Sequence, residues 1–140
     1  MDAILDGYRN VELIQLGLQG HPATAYYPEE NGVPVYDELI YVTRTELKAD
    51  PRLARFNRAV EEATIFLTNH PDEALAMFLK AHPDLDDAIN RAQFAATLPR
   101  FAKRPGAVDR GRYQRFAEFL HERALIDTVP PVDSYAEEPA

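Results

Sequence analysis

The chain has 140 residues, 46% of them apolar and 27% charged, with no Cys and no Trp. That composition suits one folded domain rather than a disordered tail, and it excludes disulfides, a Cys nucleophile, Cys-ligated zinc and iron–sulfur clusters. Twenty-three acids against fifteen Lys and Arg give a net charge of −8, which argues against general binding to nucleic acid or to an anionic membrane. The longest strictly apolar run, Ala74 to Leu79, falls far short of the ~20 residues of a membrane span, so no direct membrane insertion is expected. The N-terminus lacks the basic, apolar, small-residue order of a secretory signal.

Asp2 to Asp6, apolar between acids and closed by Gly7, fits a short buried strand. Asn10 to Gln19 reads as a helix, with Asn10 as its cap, Glu12 in the first turn, and Gly20 and Pro22 as its stop. Ala23 to Tyr27 is a second strand candidate, and Glu29 to Pro34 is a turn around Asn31-Gly32. Asp37 to Thr43 is the clearest strand, with Leu39, Tyr41 and Thr43 on one face and Ile40 and Val42 on the other. Apolar residues on both faces predict burial on both sides, as in an α/β sheet.

The second half reads as almost continuous helix. Thr45 to Asp50 makes one turn, and Asp50-Pro51 opens a helix whose stripe is Leu53, Phe56, Val60, Ala63 and Leu67. His70-Pro71-Asp72 and His82-Pro83-Asp84 repeat a border 12 residues apart, each Pro expected to start a short helix. Pro99 to Gly111 is a basic loop, and Tyr113, Phe116, Ala117 and Leu120 mark a last amphipathic helix. Residues 1–127 form the expected domain, and 128–140 an acidic, Pro-containing tail that is loose or ordered on contact. A strand starting at residue 2 has no preceding element to cover it. The chain therefore reads as the C-terminal portion of a larger α/β protein, and its uncovered edges predict a homo-oligomer.

Two segments concentrate ligand-type groups. In Gly7-Tyr8-Arg9-Asn10-Val11-Glu12, Tyr8 offers a ring face, Asn10 a donor and an acceptor, and Glu12 a carboxylate that can pair with an aminopyrimidine edge. The plainer reading is that Asn10 caps, Glu12 complements the helix dipole and Tyr8 packs. In Gly32 to Glu38, Tyr36 can stack on a flat ligand with Asp37 or Glu38 orienting it; the plainer reading is a solvated turn. The four His residues lack a helical metal-site spacing, so no metal is expected. A basic set from Arg100 to Arg115 reads as local charge balance or as a site for a phosphate or acidic partner. Neither a phosphate loop nor a nucleophile elbow is present, and no catalytic residue or cofactor is assigned.

The order Asp2-Ala-Ile-Leu, Gly7-Tyr-Arg-Asn-Val-Glu12, Gly32-Val-Pro-Val-Tyr-Asp-Glu-Leu39, then His70-Pro-Asp-Glu-Ala and Phe119 to Asp127, resembles the THI5/NMT1-like family. That family contains substrate-binding proteins of pyrimidine-precursor ABC transporters and the fungal synthase of the thiamine pyrimidine. The resemblance implies the C-terminal portion of a type II periplasmic-binding-protein fold, with short strands followed by a helix-rich half. It also implies a hydroxymethylpyrimidine or formylaminopyrimidine ligand, an ABC permease as partner, and Tyr8, Asn10, Glu12 and Tyr36 as ligand-binding residues. A periplasmic location follows from the same likeness, while the lack of a recognisable signal leaves the cytoplasm open. Two other readings stand beside it. One is an enzyme of thiamine pyrimidine biosynthesis, disfavoured because the synthase branch depends on a Cys-rich motif. The other is a helical interaction domain without a small ligand.

Overall fold

The computed structural model describes residues 3–138. Its α-helices are α1 (Glu12–Leu18), α2 (Pro51–Asn69), α3 (Pro71–Ala81), α4 (Ala88–Thr97) and α5 (Arg110–Glu122), joined by loops that contain 3₁₀ turns. Two compact units divide the chain. The first takes the residues up to Ala25 and Val60–Pro105; the second takes Tyr26–Ala59 and the residues from Gly106 onward. Helix α2 runs through the boundary.

The α/β expectation is overturned, and with it the periplasmic-binding-protein fold: no described residue lies in a strand. Asp2, the first residue of the first strand candidate, lies outside the described residues, and 3–6 form only a bend and coil. Residues 23–27 and 37–43 are likewise irregular, with a bend at Leu39. The expected two-sided burial is absent too, since Leu39 is 87% and Val42 83% exposed. Alternation of side chains sets which face would be buried, but a strand is made by a neighbour that completes its hydrogen bonds. Among the described residues, the backbone of 34–43 has no backbone partner.

The helical readings hold where termini are written locally. Pro51 opens α2, and the Asp50 carboxylate accepts the Arg52 amide at 2.8 Å, as a cap should. At the end of α1, Gly20 takes φ 77, and the His21 and Gly20 amides donate to the Leu16 and Gly17 carbonyls at 2.8 and 3.1 Å. That is the paired closure that a left-handed residue permits. The buried stripe of α2 is rotated from the expected one. Thr64 is its buried residue, with Leu53, Asn57, Val60 and Leu67 half-buried in line with it, whereas Ala63 is exposed and Phe56, 48% exposed, meets the Tyr41 ring edge-on with centroids 5.1 Å apart.

In the first unit, Pro71 starts α3 with His70 at its cap position. Pro83 starts only the 3₁₀ turn Pro83–Leu85; α4 begins five residues later, where the Asp87 carboxylate caps it by accepting the Asn90 amide at 2.7 Å. Both borders share a ring contact one turn back, Phe66 with His70 (centroids 5.2 Å apart) and Phe78 with His82 (4.9 Å). Leu79 of α3 is the unit's buried apolar side chain among the described residues. The second unit is built on α5. Its Tyr113, Phe116, Ala117 and Leu120 form the covered face, as their spacing predicts, and Ala117 is buried. Residues of the tail pack here. Val132 and Ala136 are buried, Tyr135 lies against Tyr113 with ring centroids 6.1 Å apart, and Glu137 and Glu138 reach Lys48 and the Val108 amide.

Candidate functional site

The turn before α1 holds three of the four expected ligand-side residues. The Tyr8 carbonyl accepts the Val11 amide at 3.1 Å, and the Tyr8 amide donates to Glu12 Oε2 at 2.7 Å. Glu12 thus closes a small ring on its own loop from the first turn of the helix, where a carboxylate also complements the dipole. One carboxylate oxygen is committed; Oε1 accepts nothing from the described residues. Asn10 does not cap α1, whose cap position is Val11 without a side-chain bond. Instead its amide donates to Thr97 Oγ1 at 2.7 Å, and Gln93 Nε2 reaches the Val11 carbonyl at 3.3 Å, so α4 fixes the loop. Tyr8 as a residue is 39% exposed. A part-exposed tyrosine and a carboxylate with one open oxygen, on a loop fixed from behind, can present a flat face and an acceptor to a planar base.

Tyr36 belongs to the second unit. Its ring stacks on Phe116, centroids 4.6 Å apart and planes 22° apart, and Phe116 continues to Phe119, over which Arg123 sits at 5.0 Å from the ring centre. Tyr36 is 40% exposed, so it is the outer ring of a stack. The adjacent Asp37 pairs with Arg112, which also meets Asp109 at 3.7 Å. Burial, with Asp37 adding to it, pushes the Tyr113 phenol above its ordinary range. Sequence reading found Tyr36 and Asp37 but missed Phe116, Phe119 and Arg112 behind them. The signal was the three-residue spacing of the two Phe on one helix; Phe116 was read only as part of the apolar stripe and Phe119 only as the start of the closing family motif.

Elsewhere in the first unit an open groove of about 420 Å³ runs beside Asp72, Leu75, Leu79, Lys80, Asp86 and Arg91. It contains none of the expected residues, and Arg91 is paired with Asp86 at 2.6 Å. No cluster of three or more His, Asp or Glu able to hold a metal occurs among the described residues. No described helix is long and apolar enough to cross a membrane. Three members of the basic set face acids: Arg104 lies 4.0 Å from Glu61, Arg110 pairs with Asp133, and Arg112 pairs with Asp37.

The profile of the family described as NMT1/THI5 like matches residues 1–74, which is more than half of the chain and includes both candidate segments. The chain belongs to the NMT1/THI5-like family. Two curated relatives agree. A Haemophilus influenzae protein whose name assigns it provisionally to thiamine biosynthesis is 38% identical over 139 residues, covering 99% of this chain and 44% of that protein. The formylaminopyrimidine-binding protein of Halalkalibacterium halodurans is 34% identical over 80 residues, covering 56% of this chain and 24% of that protein. The chain therefore spans less than half the length of either relative. No solved structure matches it.

Proposed function

We propose that the chain serves in binding a thiamine pyrimidine precursor of the formylaminopyrimidine or hydroxymethylpyrimidine type. The observation that carries this reading is the relationship to a formylaminopyrimidine-binding protein. The loop geometry supports it. Within the first unit, Glu12 keeps an oxygen that can accept a ring N–H or an exocyclic amine, Tyr8 lies part-exposed beside it, and Asn10 fixes the loop through Thr97. In a transport setting the bound precursor would pass to a membrane permease.

The test is calorimetric titration of the 140-residue chain with formylaminopyrimidine and with 4-amino-5-hydroxymethyl-2-methylpyrimidine. Saturable binding is expected, weakened by about 1.5–3 kcal/mol in Glu12→Gln, the scale of a hydrogen bond to a charged group. Gln keeps an oxygen for the Tyr8 amide, so the loop should stay in place while the charge is lost. Equal affinity of the variant and the parent would remove Glu12 from the site, and no binding of either compound would overturn the reading for this chain. The second reading, an enzyme of thiamine pyrimidine biosynthesis, draws on the name of the Haemophilus relative. Turnover of either compound in the same samples would favour it over binding.

A further inference from the structure

The described stretch 34–43 makes no backbone–backbone hydrogen bond with any described residue. Within it Leu39, Ile40, Tyr41 and Val42 are 87%, 53%, 63% and 83% exposed. A run of β-prone, apolar residues with its peptide groups open is a template for strand addition. The surface of the chain points the same way. Two separate globules sharing its 15.8 kDa equally would expose about 8,800 Å² by the size scaling of folded proteins, whereas this chain exposes 10,940 Å².

We propose that residues 38–44 form an interface with a second copy of this chain, the two segments pairing antiparallel about Tyr41. The sequence is complementary to itself in that register. A twofold axis normal to the ribbon keeps equivalent residues on the same face, so a symmetric pair must be centred on one residue. Centring on Tyr41 sets Ile40 opposite Val42, Leu39 opposite Thr43 and Glu38 opposite Arg44, each twice. Centring on Ile40 would set Glu38 opposite Val42, and centring on Val42 would set Ile40 opposite Arg44, a charge against an aliphatic side chain in both cases. Glu38 and Arg44 are exposed, and neither forms an ion pair among the described residues, whereas the neighbouring Asp37 is held by Arg112. The Tyr41-centred register therefore joins two open charges of opposite sign and leaves the intrachain pair untouched. Leu39, now at a bend, straightens on pairing.

The test is sedimentation equilibrium of the full chain and of Glu38→Arg, Arg44→Glu and the double reversal. The parent is expected to associate to a dimer, and each single reversal, which sets like charges opposite each other twice, to weaken association by about tenfold. The double reversal, and an equal mixture of the two single variants, should restore it. Circular dichroism checks that each variant keeps its helices, and Val42→Pro, which deletes an amide that bonds to no described backbone group, should also abolish the dimer. A parent that stays monomeric at every concentration overturns the proposal. So does a dimer that both single reversals leave at full strength, which would place the contact elsewhere. A monomer whose 38–44 amides resist hydrogen exchange would also overturn it, assigning the segment to another part of the protein.

Discussion

Asn10 is a natural cap by residue type and precedes an apolar run, yet its amide is used to reach Thr97. The distinction lies outside any local window, because the two residues are 87 positions apart. Removing the amide by Asn10→Ala should lower the opening free energy of the α1 amides by about 1 kcal/mol in native-state hydrogen exchange. Thr97→Val should do much the same, and the two together should cost less than their sum, because they delete one bond. Glu12 was legible as a helix-start acid, and its bond to the Tyr8 amide is the short-range loop closure that such an acid can make. Asp50 offers a sharper test. The Arg52 guanidinium, and then the Arg52 amide, hold its carboxyl down from 3.8 to about 2. A depressed carboxyl pKa contributes stability above the unfolded value, and the contribution fades as pH falls through the folded one. NMR titration should therefore find the Asp50 midpoint near 2, and Arg52→Ala should return it only part of the way to 3.8, because the backbone amide still donates.

At the scale of elements, helix ends were readable and strands were not, for the same physical reason. A cap or a stop is closed by atoms a few residues away, so Asp50-Pro51 and Gly20 announce themselves. A strand is closed by a distant neighbour, and the alternation in 37–43 describes only what such a neighbour would meet. The second His-Pro border failed because Pro fixes its own φ and suits a first turn without supplying a cap. Asp87 supplies it for α4, and Asp87→Ala should destabilise that helix by about 1 kcal/mol, read as lost exchange protection at Asn90 and Arg91. The end of α5 carries a residue that composition gave no reason to notice. The Leu125 and Ala124 amides close on the Leu120 and His121 carbonyls at 2.9 and 2.9 Å, with Ala124 at φ 55. This is the closure seen at Gly20, made with a side chain in the left-handed region. An L-residue there costs about 1–2 kcal/mol, and glycine gives back about 0.4–1 kcal/mol through its freer unfolded chain. Ala124→Gly should thus stabilise α5 by about 0.5–1 kcal/mol, against the usual sign of a glycine substitution near a helix.

For the molecule as a whole, burial is shared thinly. Among the described residues no large side chain falls below 2% exposure, and the buried apolar residues are Leu79, Ala117, Val132 and Ala136. Two of those four come from the tail, which by composition alone looks dispensable. Its three Pro and three acids predict a segment unable to build a core of its own, yet they do not prevent it from completing one. Pro131 precedes the 3₁₀ turn that sets Val132 inward, and Asp133 and Glu137 meet Arg110 and Lys48 outside. The apolar contact should outweigh those exposed ion pairs, since surface pairs contribute about 0–1 kcal/mol and two buried methyl groups about 1.6 kcal/mol. Val132→Ala is therefore expected to lower stability by about 1.5 kcal/mol, with exchange protection falling along α5, where the turn packs. Asp133→Asn should change the same amides by less than about half as much. The reverse order would mean that charge rather than burial holds the tail, and that the second unit's core ends at Ala117.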